Sequence, residues 1–190
     1  HYGFDVVKGV KMVSKSLTEK EVHICLDPTL LLDKNAWSAL AKTPKYKNYV
    51  LIYAMADSDT LIEKAKELAR ENGLKVIAVG LKKDVKGVKN IRTASPQEWL
   101  GLIRDADIVV TNSFHGTAFS LNFNKDFYLE YLPSGWSVNS RLKNISQMFG
   151  LHQRIIGEKA FQEGKIDYDN VNAVLEKERK KSLDYLRSIL

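Results

Sequence analysis

The chain has 190 residues, 44% of them hydrophobic and 27% charged, with 29 lysines and arginines against 23 aspartates and glutamates. That length suits one ordinary domain with a short extra segment, and the apolar fraction excludes wholesale disorder. No apolar run approaches the roughly 20 residues of a bilayer-spanning helix, and the single cysteine, Cys25, excludes an internal disulfide and any multi-cysteine metal cluster.

The excess of six positive charges is spread along the chain. Its densest run, Lys177–Lys181, is interrupted by Glu178 and reads as the solvated face of a helix rather than a nucleic-acid or membrane patch. No zinc-finger spacing, arginine-rich arm or aromatic ladder supports nucleic-acid binding. The first residue is His1, so the chain is expected to be processed or to be a piece of a longer protein.

Val22–Leu26 predicts a short strand stopped by Asp27-Pro28, since proline disfavours helix in the residue before it. Asn35–Ala41 predicts a short helix carrying Trp37 and Leu40. Tyr49–Met55 is a continuous apolar run, the pattern of a strand covered on both faces of a parallel sheet. A helix follows to about Asn72, with Leu61, Ile62, Ala65, Leu68 and Ala69 on one stripe. Asp57, Ser58 or Asp59 caps its start, and Gly73 ends it.

Lys75–Gly80 predicts a strand, residues 82–89 a loop, and Asn90–Ala94 a short strand. Ser95-Pro96-Gln97-Glu98 is a capping box opening a helix that ends near Arg104. Ala106–Thr111 is a further buried strand, broken at Asn112-Ser113-Phe114-His115-Gly116 before a helix with Thr117, Ala118, Phe119, Leu121 and Phe123. Asp126–Leu132 predicts a strand and Arg141–Phe149 a helix stopped by Gly150. Tyr168–Leu190 predicts one long helix with Val171, Val174, Leu175, Leu183, Leu186 and Leu190 as its apolar side.

Strands separated by helices predict an α/β fold: a doubly wound parallel sheet with helices on both faces, Rossmann-like. The Tyr49 strand then lies at the centre, with the Val76 and Ile91 strands on one side and the Ile108 and Phe127 strands on the other. The strand order reverses between the Tyr49 and Ile108 strands, where ligands bind in such folds. Two loops border that crevice, Ala56–Asp59 and Asn112–Gly116.

Asn112–Thr117 has the parts of an anion site. It opens a helix, where unpartnered N–H groups and the dipole attract negative charge. Ser113 and Thr117 offer hydroxyls, Gly116 permits close approach to the backbone, and His115 can donate to an oxyanion or exchange a proton. Spacing alone leaves a second reading equally open, a capped helix whose His115 packs in the core. The segment is neither a nucleophile elbow nor a dinucleotide or P-loop fingerprint.

The segment Ala106–Phe127, ADIVVTNSFHGTAFSLNFNKDF, closely resembles the signature of the polysaccharide pyruvyl transferase family. Leu26–Leu32, Ser95–Leu100 and Asn139-Ser140-Arg141 before a helix ending in Phe149-Gly150-Leu151 extend the resemblance in order over residues 22–154. It implies the C-terminal, donor-binding half of a two-domain GT-B-like protein. On that basis residues 1–34 are expected to be a remnant of the N-terminal half, 35–160 the donor-binding domain, and 161–190 a C-terminal helix packed on it.

The resemblance further implies transfer of a pyruvyl group from phosphoenolpyruvate to two hydroxyls of a bacterial cell-surface polysaccharide, as in exopolysaccharide biosynthesis, forming a cyclic ketal and releasing phosphate. The family's histidine maps onto His115 and its arginine onto Arg141. His115 is assigned the catalytic role, contacting phosphate and aiding its departure, and Ser113, Gly116, Thr117, Ser140 and Arg141 hold the substrate. A carboxylate and a phosphate call for a helix amino end and a guanidinium fork. No cofactor or metal is implied. The expected partners are phosphoenolpyruvate, a saccharide acceptor either free or lipid-linked, and a missing N-terminal domain of the same protein; nucleic acid is not among them. The implied location is the cytoplasm, free or peripheral at the inner membrane face. The isolated chain is expected to bind the donor weakly and catalyse little. A nucleotide-sugar glycosyltransferase and a non-catalytic binding domain are the alternatives that fold alone leaves open.

Outside the motif the ordinary readings prevail. Asp27 terminates a strand, Asp57 and Asp59 cap a helix, and Cys25 is a small core residue. Trp136 either stacks on a sugar or anchors its loop, and Arg154 either adds charge near the site or binds helix carbonyls. His23 and His152 have no evident partners.

Overall fold

The computed structural model describes residues 23–133 and 138–190. Its strands are the short apolar runs: β1 (Tyr49–Tyr53), β2 (Lys75–Val79), β3 (Val88–Ile91), β4 (Ile108–Thr111) and β5 (Asp126–Leu129). They form one all-parallel sheet in the order β3-β2-β1-β4-β5. The predicted centre and reversal point are therefore observed. β3 lies two residues earlier than expected, because a turn closed by Val88 N–H on Val85 O, with Gly87 at φ 82°, starts the strand sooner.

Among the described residues the helices are α1 (Pro28–Leu31), α2 (Lys34–Leu40), α3 (Asp59–Asn72), α4 (Pro96–Arg104), α5 (Phe114–Asn122), α6 (Val138–Met148) and α7 (Tyr168–Ser188), with a 3-10 turn at His152–Arg154. Their ends follow local chemistry. Ser58 caps α3 by accepting from Leu61 N–H, and Gly73 ends it at φ 64°, a left-handed conformation that costs glycine little. The capping box of Ser95 and Glu98 opens α4. Asp57, expected as a cap, instead accepts from the N–H groups of Lys82 and Lys83, while Asp59 pairs with the Lys83 ammonium.

The period of two along β1 divides the core. Tyr49 and Leu51 join Ile77, Ile103, Val109, Phe119 and Phe127 on one face; Val50 and Ile52 join Leu61, Ile62, Ala65 and Val110 on the other. Burying each such aliphatic side chain contributes about 1.5–3 kcal/mol. The two faces are unequally clad. The Val50 face is covered by α3 with Ile156 and Phe161, whereas α1, α4, α5, α6 and α7 supply the other.

The amino-terminal apolar run departs from expectation. Residues 23–27 form no strand; Val22 lies outside the described residues. The run is held by α7 in place of a ladder: Leu26 N–H donates to Ser182 Oγ at 3.0 Å, and His23 stacks on Tyr185 at 4.4 Å. The α7 stripe is also corrected. Val171 and Leu175 are buried as expected, but Arg179 and Ser182 continue the buried side. The basic run is thus solvated at Lys177, Lys180 and Lys181 and turned inward at Arg179, while Leu190 is fully exposed beyond the helix end. No helix among the described residues is long and apolar enough to cross a membrane.

Candidate functional site

The carboxyl ends of β1 and β4 are fastened together by side chains. Thr111 Oγ1 donates to Tyr53 O at 2.6 Å and accepts from Ser113 N–H at 3.0 Å. Asn112, buried, accepts from Met55 N–H at 2.7 Å and donates to Ala56 O at 2.8 Å. These bonds fix the two loops at the reversal point relative to one another. They leave α5 starting directly from the end of β4.

Ser113 is the cap of α5, its hydroxyl oxygen accepting from Gly116 N–H. Ser113 also hydrogen-bonds Tyr53, which favours that phenol's ionisation, but burial is the larger effect and holds Tyr53 above its ordinary range. Thr117 is buried and donates to Ser113 O at 3.1 Å. A Cβ on Gly116 would stand 2.3 Å from Thr111 Oγ1 and 3.1 Å from the Tyr53 ring. The close approach that glycine permits here is therefore that of helix to sheet. Ser113, Gly116 and Thr117 line the inner side of the first turn, and His115 alone of this group faces outward, exposed. The alternative of a core-packed His115 does not hold.

Arg141 reaches the same helix end from α6. Asn139 places it: its side chain accepts from Leu132 N–H at 2.9 Å and donates to Leu132 O at 2.8 Å. The Arg141 guanidinium lies 3.8 Å from the centroid of the Phe114 ring, and Nη2 donates to Asp27 Oδ2 at 2.8 Å. Phe114 in turn meets His115 edge-on at 5.5 Å. Asp27 caps α1: Oδ1 accepts from both the N–H and the hydroxyl of Thr29, leaving Oδ2 for Arg141. Asp27 is thus a helix cap and an ion-pair partner, not a strand terminator. Burial would raise its carboxyl, but the Thr29 hydrogen bonds and the charges of His115 and Arg141 outweigh it and hold it below the usual carboxylate range.

A cleft of about 270 Å³ opens beside this pair, lined in part by Cys25, Asp27, Phe114, Arg141 and Asn144. Cys25 is half-buried on its wall. A half-exposed ion pair is worth about 0–1 kcal/mol, so an incoming dianion can displace Asp27 from Arg141 at small cost.

Ser140 is half-buried on the first turn of α6, beside Arg141 in the chain. Arg154 is placed apart: it is buried, donates to Gly164 O at 2.6 Å and lies over the Tyr128 ring, so it binds a loop carbonyl and not helix carbonyls. Trp136 lies outside the described residues. His152 is exposed on the 3-10 turn. Among the described residues no group of three or more His, Cys, Asp or Glu is arranged to hold a metal ion. Sequence reasoning missed Asp27 as the partner of Arg141, a pair 114 residues apart. It also missed Glu130, which follows β5 and borders a second cleft; its place at the carboxyl end of a sheet strand was the signal available.

Comparison with known proteins gives one family match: the model for polysaccharide pyruvyl transferase covers residues 8–129. No curated protein matches significantly. Among solved structures, the crystal structure of the PH0520 protein from Pyrococcus horikoshii OT3 aligns with a TM-score of 0.32 and 11% identity. That alignment covers 97% of this chain and 58% of the other, so the chain spans little more than half of that protein's length.

Proposed function

The chain belongs to the polysaccharide pyruvyl transferase family, and on that premise we propose that it binds phosphoenolpyruvate and serves transfer of its pyruvyl group to a saccharide as a cyclic ketal. The observation that carries this reading is that His115, at the head of α5, and Arg141, over the Phe114 ring and paired with Asp27, both act on the Asp27 carboxyl. One is a group able to pass a proton near neutral pH, and the other a fork of donors shaped for a carboxylate or phosphate.

The chemistry requires both. The methylene carbon of the donor takes up a proton, and the central carbon becomes electron-poor. A saccharide hydroxyl adds there and loses its proton. A second hydroxyl then closes the ring as the carbon–oxygen bond to phosphate breaks. One proton ends on carbon and one on the departing phosphate. Arg141 binds the anionic donor through charge-assisted hydrogen bonds. His115, exposed in the first turn of α5, contacts the phosphate and supplies the proton that leaves with it. Ser113, Gly116 and Thr117 act by shaping the first turn of α5, and Ser140 by its place beside Arg141. The whole protein's partners in this reading are the donor, a saccharide acceptor and the remaining domain of a GT-B-like enzyme.

Calorimetry with phosphoenolpyruvate tests the proposal. Wild-type protein is expected to give a binding isotherm that weakens about tenfold or more in His115→Ala and Arg141→Gln. Equal isotherms in all three proteins would sink it, as would a preference for a nucleoside diphosphate over phosphoenolpyruvate.

A further inference from the structure

The reversal point carries a second cleft, of about 390 Å³, bordered by Asn112. Its walls come from the loops after β1 and β5 and include Asp57, Ser58, Asn112, Glu130 and Tyr131. Glu130 leaves the sheet directly, its N–H donating to Thr111 O at 3.0 Å. Ser58, the cap of α3, donates its hydroxyl to Glu130 Oε1 at 2.9 Å while accepting from Leu61 N–H. Glu130 Oε2 is enclosed and has no hydrogen-bond partner among the described residues.

An enclosed carboxylate oxygen without a donor costs about 1–3 kcal/mol or more, and such an atom on the wall of a cleft marks where a ligand's donor belongs.

The charge of the walls selects the ligand. Among the described residues, the carboxylates bordering this cleft are Asp57 and Glu130, and no Lys or Arg lines it. Asp57 is already occupied by the N–H groups of Lys82 and Lys83. A phosphate or a carboxylate would be repelled. A neutral ligand rich in hydroxyl donors would satisfy Glu130, and the half-buried Tyr131 ring, whose hydroxyl hydrogen-bonds Ser146, offers an apolar flank of the kind on which sugar rings rest.

We infer that this cleft is a saccharide subsite in which Glu130 accepts hydrogen bonds from a pair of neighbouring sugar hydroxyls. The inference deepens the pyruvyl-transfer reading and rests on it for the identity of the acceptor. It places the neutral acceptor and the anionic donor in two separate clefts, of which only the donor's holds an arginine among its described lining residues. A nucleoside diphosphate carries the same diol on its ribose, but its phosphates meet the wrong field here.

The test is amide-shift mapping by NMR on the 190-residue chain, titrated separately with methyl galactoside, methyl glucoside and uridine diphosphate. At least one glycoside is expected to move the signals of Ser58, Glu130 and the Asn112 side-chain amide. In Glu130→Gln, which keeps the shape, its apparent affinity is expected to fall about tenfold. An unchanged spectrum away from the cleft shows that the variant folds. Absence of shifts at these residues with both glycosides, equal affinity in Glu130→Gln, or response to uridine diphosphate alone overturns the inference. Phosphoenolpyruvate is titrated in a separate arm. Its failure to shift His115 would count against the donor assignment and leave the glycoside result standing on its own.

Discussion

The head of α6 and the middle of α7 each bring one arginine to the same side of the sheet, and the two are used in opposite ways. Arg179 is buried, and its donors are taken by Leu30 O at 2.9 Å, Leu32 O at 3.1 Å, Asn122 Oδ1 at 3.3 Å and the Glu176 carboxylate. Arg141 is half-exposed, lies over the Phe114 ring and donates to Asp27 alone among the described residues. The first arginine is consumed in holding α1 and α5 to the C-terminal helix. The second keeps most of its donors unspent beside a cleft. In the proposed reading, unspent donors, and not positive charge as such, separate a binding arginine from a structural one.

The comparison breaks most readily at Arg179. Arg179→Met would leave three backbone and amide acceptors without donors, and a loss of about 3 kcal/mol or more is expected in urea unfolding. Wild-type stability in that variant would erase the contrast. Gly116→Ala, whose Cβ would meet Thr111 Oγ1 at 2.3 Å, is expected to cost about 1–3 kcal/mol in the same assay. A neutral result there would show that α5 is not pressed against β4 as described.

Arg141→Gln is expected to lower stability by at most about 1 kcal/mol while removing phosphoenolpyruvate affinity. A loss of stability comparable to that of Arg179→Met would place it with the structural arginine. The smallest effect concerns pH. The Asp27 carboxyl lies below its ordinary range in the folded state, so its contribution is present above the unfolded carboxylate pKa of about 4 and is lost as pH falls through the lowered folded value. The stability gap between wild type and Asp27→Asn should therefore be open near neutral pH and close below about pH 4. A gap that widens on acidification would contradict the pairing with Arg141.

The sheet was legible because its signals are local. Period and composition named each strand, the capping residues Ser58, Ser95 and Gly73 bounded the helices, and crossover handedness left one arrangement in which the Tyr49 strand is central. The head of α5 was legible for the same reason, since Ser113 and His115 stand at a strand-to-helix junction. What escaped was the long-range pairing of side chains. Asp27 and Arg141 are brought together by α1 and α6, which no local pattern relates. Arg179 sits inside a run of exposed lysines, so averaging over the run hid the one position on the inner side of the helix. Glu130 was absorbed into a strand read as too long. That strand ends at Leu129, and the residue after it has turned toward the loops.

The two hydrogen bonds from Asn139 to the main chain of Leu132 have a consequence for how such a protein diversifies. One amide imitates a neighbouring strand and anchors the first turn of α6 to the main chain that follows β5. The phase of α6, and with it the direction of Arg141, is set at that anchor. A substitution at Asn139 would therefore rotate a side chain it never touches, so drift at one amide could retune a guanidinium.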